Sequence, residues 1–270
     1  MKKSFVLLSI LAVFALLTGS VYADQLVLKG STTVLPIAQK AAEAYMKAYP
    51  KSVISLSGGG SSNGIKGIID GTTDIGNASR FIKDKEVKLA VSKGVYPVPH
   101  RIALDCIVPI VHLSNKVNNL SLDQLKNIYL GKIKNWKQVG GKDMKIVVIS
   151  RDSSSGTFDA WKSLVMKKER VVPTALTVPS NGALVTQIGN TKGALGYIAL
   201  GYITKKVKTL NVKGVKGSVE TTLNGKYKIS RPLYMFTNGW PKGETLNFLN
   251  FLLSKQGQKL VSEAGSIALY

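Results

Sequence analysis

This chain has one cysteine, Cys106, two histidines and only 15 acidic residues among its 270. A single thiol excludes an internal disulfide framework and a cysteine-rich zinc site. His100 and His112, set among sparse acids, offer no recognisable metal-ligand spacing, so neither a metal nor a cofactor is expected. Arginine is scarce as well: Arg80, Arg101, Arg151, Arg170 and Arg231 stand among many lysines. Internal repeats and low-complexity linkers are lacking. What the chain has in excess is positive charge. Its 37 Lys and Arg give a net charge of +22, and no acid lies between Glu169 and Glu220. Such a balance favours an anionic partner. Nucleic acid is not the expected one, because the lysines are scattered singly or in pairs and the aromatics fall in apolar runs. A hydrophobic share of 44% excludes a disordered chain, and the length allows one large domain or two ordinary ones.

The first residues read as an address. Met1-Lys2-Lys3 is a basic start, Phe5 to Leu17 is a nearly unbroken apolar run, and Val21-Tyr22-Ala23 resembles a cleavage site. The run is too short to span a bilayer. A secretory signal peptide over residues 1–23, cleaved after Ala23, is therefore expected. With no Cys near the cut, lipid attachment is not. Export follows as the expectation, and a monomer is the default expectation for the oligomeric state. Cys106, inside the apolar run Ile102 to Val111, is expected to be a buried free thiol.

Strand-like and helix-like segments alternate along the chain, the pattern of an α/β fold with a mainly parallel sheet. Strands are expected at Leu26–Leu28, Val53–Leu56, Asp74–Ala78 and Lys145–Ile149. Helices are expected at Pro36–Tyr49, about Asn63–Asp70 and Phe158–Met166. Three strand-to-helix junctions share one composition: Gly30-Ser31-Thr32-Thr33, Gly58-Gly59-Gly60-Ser61-Ser62-Asn63-Gly64, and Arg151-Asp152-Ser153-Ser154-Ser155-Gly156-Thr157. A helix amino terminus presents unpaired N–H groups and partial positive charge, which suits an oxyanion. Glycine lets backbone approach the ligand, and hydroxyls add donors. Helix capping explains any one such loop equally well, since Ser, Thr and Asn are favoured caps. Three loops together, one carrying an arginine, favour binding. Arg151 would supply a planar, permanently charged fork, the alternative being an ion pair with Asp152 or Asp159.

Two enzyme-like patterns also occur. Gly60-Ser61-Ser62-Asn63-Gly64 fits G-x-S-x-G between a strand and a helix, and Asp105 and His112 follow in the order of a serine hydrolase with Ser62 as nucleophile. The stretch from Gly59 to Lys66 fails as a phosphate-binding P-loop: Ile65 separates Gly64 from Lys66, and no Ser or Thr follows the lysine.

The segments GSTTVLP at 30–36, GSSNGIKGIIDGTTDIG at 60–76, RDSSSGT at 151–157 and GALGYIALGY at 193–202 resemble the periplasmic phosphate-binding proteins of ABC-type phosphate importers. The resemblance spans nearly the whole chain after the leader. It implies a two-lobed clamshell crossed twice by the chain, with residues 24–103 plus 232–270 in lobe I and 104–231 in lobe II. Hinge strands are implied near Ile102–Val111 and Pro232–Phe236. It implies a periplasmic location and capture of inorganic phosphate for a membrane permease, with no catalysis. Another tetrahedral oxyanion (sulfate, arsenate or molybdate) is the alternative within that class. By the same resemblance the phosphate ligands are Ser31, Thr32, Thr33, Ser61, Arg151, Ser155, Gly156 and Thr157. Some members carry an Asp after the third strand that accepts the proton of hydrogen phosphate. In Asn77-Ala78-Ser79-Arg80 that place is expected to hold Arg80, as a ninth ligand residue.

Overall fold

The computed structural model describes residues 25–270, so the expected leader, residues 1–23, lies outside the described residues. The chain runs β1 (Leu26–Gly30), α1 (Leu35–Ala48), β2 (Ile54–Ser57), α2 (Ser61–Ile69), β3 (Ile75–Ala78), α3 (Asp84–Ser92) and β4 (Pro97–His112). It continues through β5 (Asn119–Leu120), α4 (Leu122–Tyr129), β6 (Val147–Arg151), α5 (Gly156–Leu164), β7 (Leu176–Val178), α6 (Asn181–Gly189) and β8 (Ala194–Ala199). After β9 (Val207–Thr209), β10 (Asn211–Val212) and α7 (Val219–Leu223), β11 (Ser230–Asn238), α8 (Gly243–Leu253) and α9 (Lys255–Glu263) complete it. The alternation read from the sequence is present, but the sheet is mixed where a mainly parallel one was expected. The long strands β4 and β11 pair antiparallel with each other and with their neighbours β8 and β3. One shift of boundary is also informative. Helices α2 and α5 each begin two residues earlier than expected, so Ser61, Gly156 and Thr157 lie inside their first turns.

Among the described residues nine strands form one curled sheet in the order β2-β1-β3-β11-β4-β8-β6-β7, with β9 also paired to β4, and β5 and β10 pair separately. β1 lies parallel to β2 and β3, and β6 lies parallel to β7 and β8, as short crossovers through helices require. β4 joins the two halves. From Pro97 to Cys106 it pairs with β11, and from Ile107 to Val111 it pairs with β8. The change of partner falls between adjacent residues, Cys106 and Ile107.

Each half has its own apolar core. On one side Leu28, Ile37, Ala41, Tyr45, Ile75, Leu233 and Phe248 pack together. On the other, Val111, Leu125, Ile128, Trp136, Trp161 and Tyr197 do so. Trp161 of α5 stacks on Tyr197 of β8 at 4.4 Å and 8°, and Tyr129 of α4 leans on both rings. That aromatic stack fixes α5, and with it the third loop, against the sheet. Cys106 is buried, and burial together with the neighbouring Asp105 pushes its thiol up to about 12, so it packs as a small apolar side chain. Among the described residues no helix is long and apolar enough to cross a membrane.

Candidate anion-binding site

The three hydroxyl-rich loops converge where the lobes touch. From lobe I come the β1–α1 loop and the first turn of α2. From lobe II come the β6–α5 loop and the first turn of α6. Close approach depends on glycine. Gly60 has φ +99°, and a Cβ there would lie 2.7 Å from the Ser154 carbonyl oxygen. A Cβ on Gly156 would meet Ser61 Oγ at 2.3 Å and Ser79 Oγ at 2.7 Å. Backbone hydrogen bonds already cross the gap, with Ser62 N donating to Ser154 O at 3.0 Å.

At the centre, Thr33 Oγ1 and Thr157 Oγ1 lie 3.2 Å apart, one from each lobe. Arg231 Nη2 donates to both, at 3.2 and 2.9 Å. Asn181 Nδ2 donates to Thr33 Oγ1 at 3.2 Å and to Thr32 Oγ1 at 3.4 Å, and its own Oδ1 accepts from Ala199 N. Thr32 Oγ1 also accepts from Arg151 Nη2 at 3.4 Å, and Tyr202 OH donates to the Thr32 carbonyl at 2.5 Å. A hydroxyl whose lone pairs accept from cationic or amide donors turns its hydrogen outward. With both lone pairs so used, Thr33 donates its hydrogen to Thr157 Oγ1, which leaves the hydroxyl hydrogens of Thr32 and Thr157 for a ligand.

Ser61 is wholly buried; its Oγ accepts from Ser79 N at 2.9 Å and lies 3.2 Å from Ser79 Oγ. Ser31 Oγ is used within its own turn, accepting from Thr33 N at 3.2 Å. Ser155 Oγ caps α5, accepting from Phe158 N, so its hydroxyl plays the capping role while the following turn supplies Gly156 and Thr157 N–H groups. By contrast, α1 and α2 have no side-chain cap.

Two arginines are buried here, differently balanced. Arg231 meets Asp105 with Nε at 3.1 Å and Nη2 at 2.9 Å from Oδ2, and Nη1 donates to Ser79 O. Burial draws Asp105 up and Arg231 down from their ordinary pKa values, while their mutual contact opposes both shifts. Arg151 donates from Nε to Val178 O and from Nη2 to Pro179 O, and its Nη1 is buried without a protein partner. Asp152 is only 3.8 Å away, yet Ser154 N and Oγ occupy its Oδ1. Burial lowers the Arg151 pKa, Asp152 opposes this, and nearby Arg231 adds to the lowering. An anion beside Nη1 would relieve that cost.

Eight of the nine expected ligand residues belong to these loops. Arg80 does not join them. Its guanidinium is bidentate with Glu86, at 2.7 and 2.8 Å, donates to Ser62 Oγ at 3.0 Å, and places Nε 2.9 Å from Asp159. Two carboxylates hold it away from the centre. The residue that faces Ser61 after β3 is Ser79. Sequence reading missed Ser79, Asp105, Asn181, Tyr202 and Arg231 as parts of this cluster. Asn181 follows a Ser cap and resembles an ordinary helix start, while Asp105 and Arg231 sit alone in apolar strands.

The serine-hydrolase arrangement does not form. Ser62 is bound by Arg80, Asp105 by Arg231, and His112 Nδ1 by Ser114 Oγ at 2.8 Å. His100 pairs with Thr237. A nucleophile needs a base within hydrogen-bond reach, and Ser62 has none. The assembled groups are donors and cations from two facing lobes, which suits holding an oxyanion.

Comparison with known proteins agrees with this geometry. Residues 19–256 match the model of the PBP superfamily domain. The phosphate-binding protein PstS of Bacillus subtilis is 34% identical over 247 residues, covering 91% of this chain and 81% of that protein. A Clostridium perfringens structure described as a phosphate ABC transporter substrate-binding protein with bound phosphate is 35% identical. Its TM-score is 0.86, over 92% of this chain and all of that one. An ABC-type phosphate transport receptor from Vibrio cholerae is 33% identical, with a TM-score of 0.73 over 90% and 99% of the two chains. With these relatives matched over nearly its whole length, and their two-lobed fold shared, the chain belongs to the PBP superfamily and, within it, to the family of phosphate-binding proteins named PstS.

Proposed function

We propose that this protein captures inorganic phosphate between its lobes and delivers it to the membrane permease of an ABC importer, without chemistry on the ligand. The observation that carries this reading is Arg151. Its guanidinium is buried at the meeting of the lobes, with Nη1 unpartnered and Nη2 against the Thr32 hydroxyl, beside the Thr33 and Thr157 hydroxyls that Arg231 holds. Phosphate would take that nitrogen, the hydroxyls of Thr32, Ser61 and Thr157, and the N–H groups of Gly156 and Thr157. Ser31 and Ser155 would act by shaping their turns, and Thr33 through its hydrogen bond to Thr157. Ser79 and Arg231 join the set, and Arg80 leaves it.

The reading includes lobes divided as 24–103 plus 232–270 and 104–231, supported by the two separate cores and the partner change on β4 after Cys106. It also includes export through a leader cleaved after Ala23 with no lipid anchor, supported by the residues before Asp24, and a monomeric product.

Ligand choice follows from the acceptors. Asp105 is the carboxylate built into this cluster, and its oxygens accept from Arg231 and from Leu200 N. With Asp105 engaged in this way, sulfate is expected to compete measurably with phosphate, though more weakly. Asp152, whose Oδ2 is buried beside Arg151 without a hydrogen-bond partner, is the carboxylate whose use as a proton acceptor would instead exclude sulfate. Titration with phosphate, sulfate, arsenate and molybdate in one buffer tests both statements. Failure to bind phosphate would sink the function. Indifference to a large excess of sulfate would sink the account of selectivity.

A further inference from the structure

Arg80, excluded from the anion cluster, has another use. It is anchored on lobe I by Glu86, which also accepts from Lys83 N at 2.8 Å, so the guanidinium and Lys83 are held side by side. Burial alone would raise the Glu86 pKa, yet its contacts with Arg80 and Lys83 hold it below the ordinary value, as a firmly ionised anchor. The remaining edge of Arg80 and the tip of Lys83 converge on one carboxylate of lobe II. Asp159 Oδ2 lies 2.9 Å from Arg80 Nε and 2.7 Å from Lys83 Nζ. Asp159 is 20% exposed and Arg80 7%, so the contact is shielded from bulk solvent more than a surface pair is.

The placement couples this contact to the anion site. Arg80 follows Ser79, and its Nη2 partner Ser62 follows Ser61. Asp159 follows Thr157 by two positions on the same helical turn. These elements therefore cannot bring the site loops together without also bringing the three charges together. We infer that Arg80 and Lys83 of lobe I and Asp159 of lobe II form an electrostatic latch, which holds the lobes closed over the bound anion without touching it. The inference rests on the phosphate-binding reading above.

The sign of one substitution separates the latch from its rival. A carboxylate in the first turn of α5 competes with a bound anion for the same helix end, so its mere presence would weaken binding. If that were its main effect, Asp159→Asn would tighten phosphate binding. A latch requires the reverse. Labelled phosphate, chased with unlabelled phosphate, gives both affinity and dissociation rate. Asp159→Asn should bind about 5- to 30-fold more weakly, almost wholly through faster release, as expected for a partly shielded charge pair. X-ray scattering with phosphate should show a larger radius of gyration than the parent's.

Lys83→Met, at the more exposed end of the contact, guards against misfolding of the first variant. It should weaken binding less, and the double variant should fall short of the product of the two effects. Unchanged or tighter binding in Asp159→Asn, or effects of the two substitutions that simply multiply, would overturn the latch. Arg151→Ala in the same assay separates the two readings. Undiminished phosphate binding there overturns the anion site, whereas lost binding there with a normal Asp159→Asn overturns the latch alone.

Discussion

The two lobes approach the anion site with different chemistry. Lobe I offers helices α1 and α2 with no side-chain caps; backbone carbonyls take part of their first turns instead, Leu35 N donating to Ser31 O and Ser62 N to Ser154 O of the facing lobe. Lobe II caps both of the helices it brings to the site, α5 through Ser155 and α6 through Ser180, and contributes a buried cation instead. A bare helix end provides directed donors with partial charge, and a guanidinium provides a full charge that a buried site must balance. Lobe I thus supplies shape and direction, and lobe II supplies the charge. Arg231, on a strand shared by both, is already balanced by Asp105 and acts on the threonines between them.

The comparison breaks most directly at Arg151. Replacing it by alanine removes the unbalanced charge of lobe II, and phosphate affinity should fall about 100-fold or more, the scale of a lost charged donor, about 3 kcal/mol. The fold should survive, so thermal unfolding without ligand should move little beside the loss seen by calorimetric titration. A mutant that keeps near-normal affinity would place the charge elsewhere.

A matched pair of serines sharpens the contrast. Ser61→Ala removes a hydroxyl that lobe I does not use as a cap and should weaken phosphate binding about tenfold. Ser155→Ala removes a cap in lobe II and should cost about 1 kcal/mol of stability while changing affinity less than Ser61→Ala does. Ser62→Ala, whose hydroxyl serves Arg80, should leave affinity closer to the parent's than Ser61→Ala. Equal affinity losses in all three would erase the distinction between capped and uncapped ends.

The smallest expected effect concerns acid. The Glu86 pKa lies below its ordinary 4.5 in the folded protein, so folding favours the ionised form. Its stabilising contribution is therefore fully present above about pH 4.5 and is lost as pH falls through the lower folded value. Urea midpoints of the parent and of Glu86→Gln should differ at neutral pH and converge in acid. A difference that grows as pH falls would reverse the sign assigned to Glu86.

Much of the site was legible because its signals are local. Gly, Ser and Thr at a strand-to-helix junction, repeated three times, identify loops whose chemistry is fixed within seven residues. What escaped was set by tertiary placement. Ser79 and Arg80 are neighbours in the bend just past β3, yet Ser79 meets Ser61 and Arg80 meets Glu86 and Asp159. Composition favours the arginine as the anion partner, but Glu86 and Asp159 draw it outward, and those contacts join residues 6 and 79 positions along the chain. Asp105 and Arg231 meet as direct partners across β4 and β11, a register that no motif encodes. The start of α2 was placed two residues late for a related reason. With no capping side chain before Ser61, the sequence carries no punctuation at the true first turn of α2.

The strand order has a further consequence, for the sequence of events in folding. β3 and β4 are consecutive strands in the chain, yet in the sheet β11 lies between them, pairing with both. The slot stays unfilled until the polypeptide has reached Asn238, while most of the second lobe, from the latter part of β4 through β10, is already complete in itself. Closing that slot joins segments more than a hundred residues apart, the kind of non-local pairing that forms slowly. Until then, two strand edges face open water as templates for the wrong partner. The last strand of the chain is thus also the one that removes a risk of misassembly, and truncation before Ser230 would leave that risk in place.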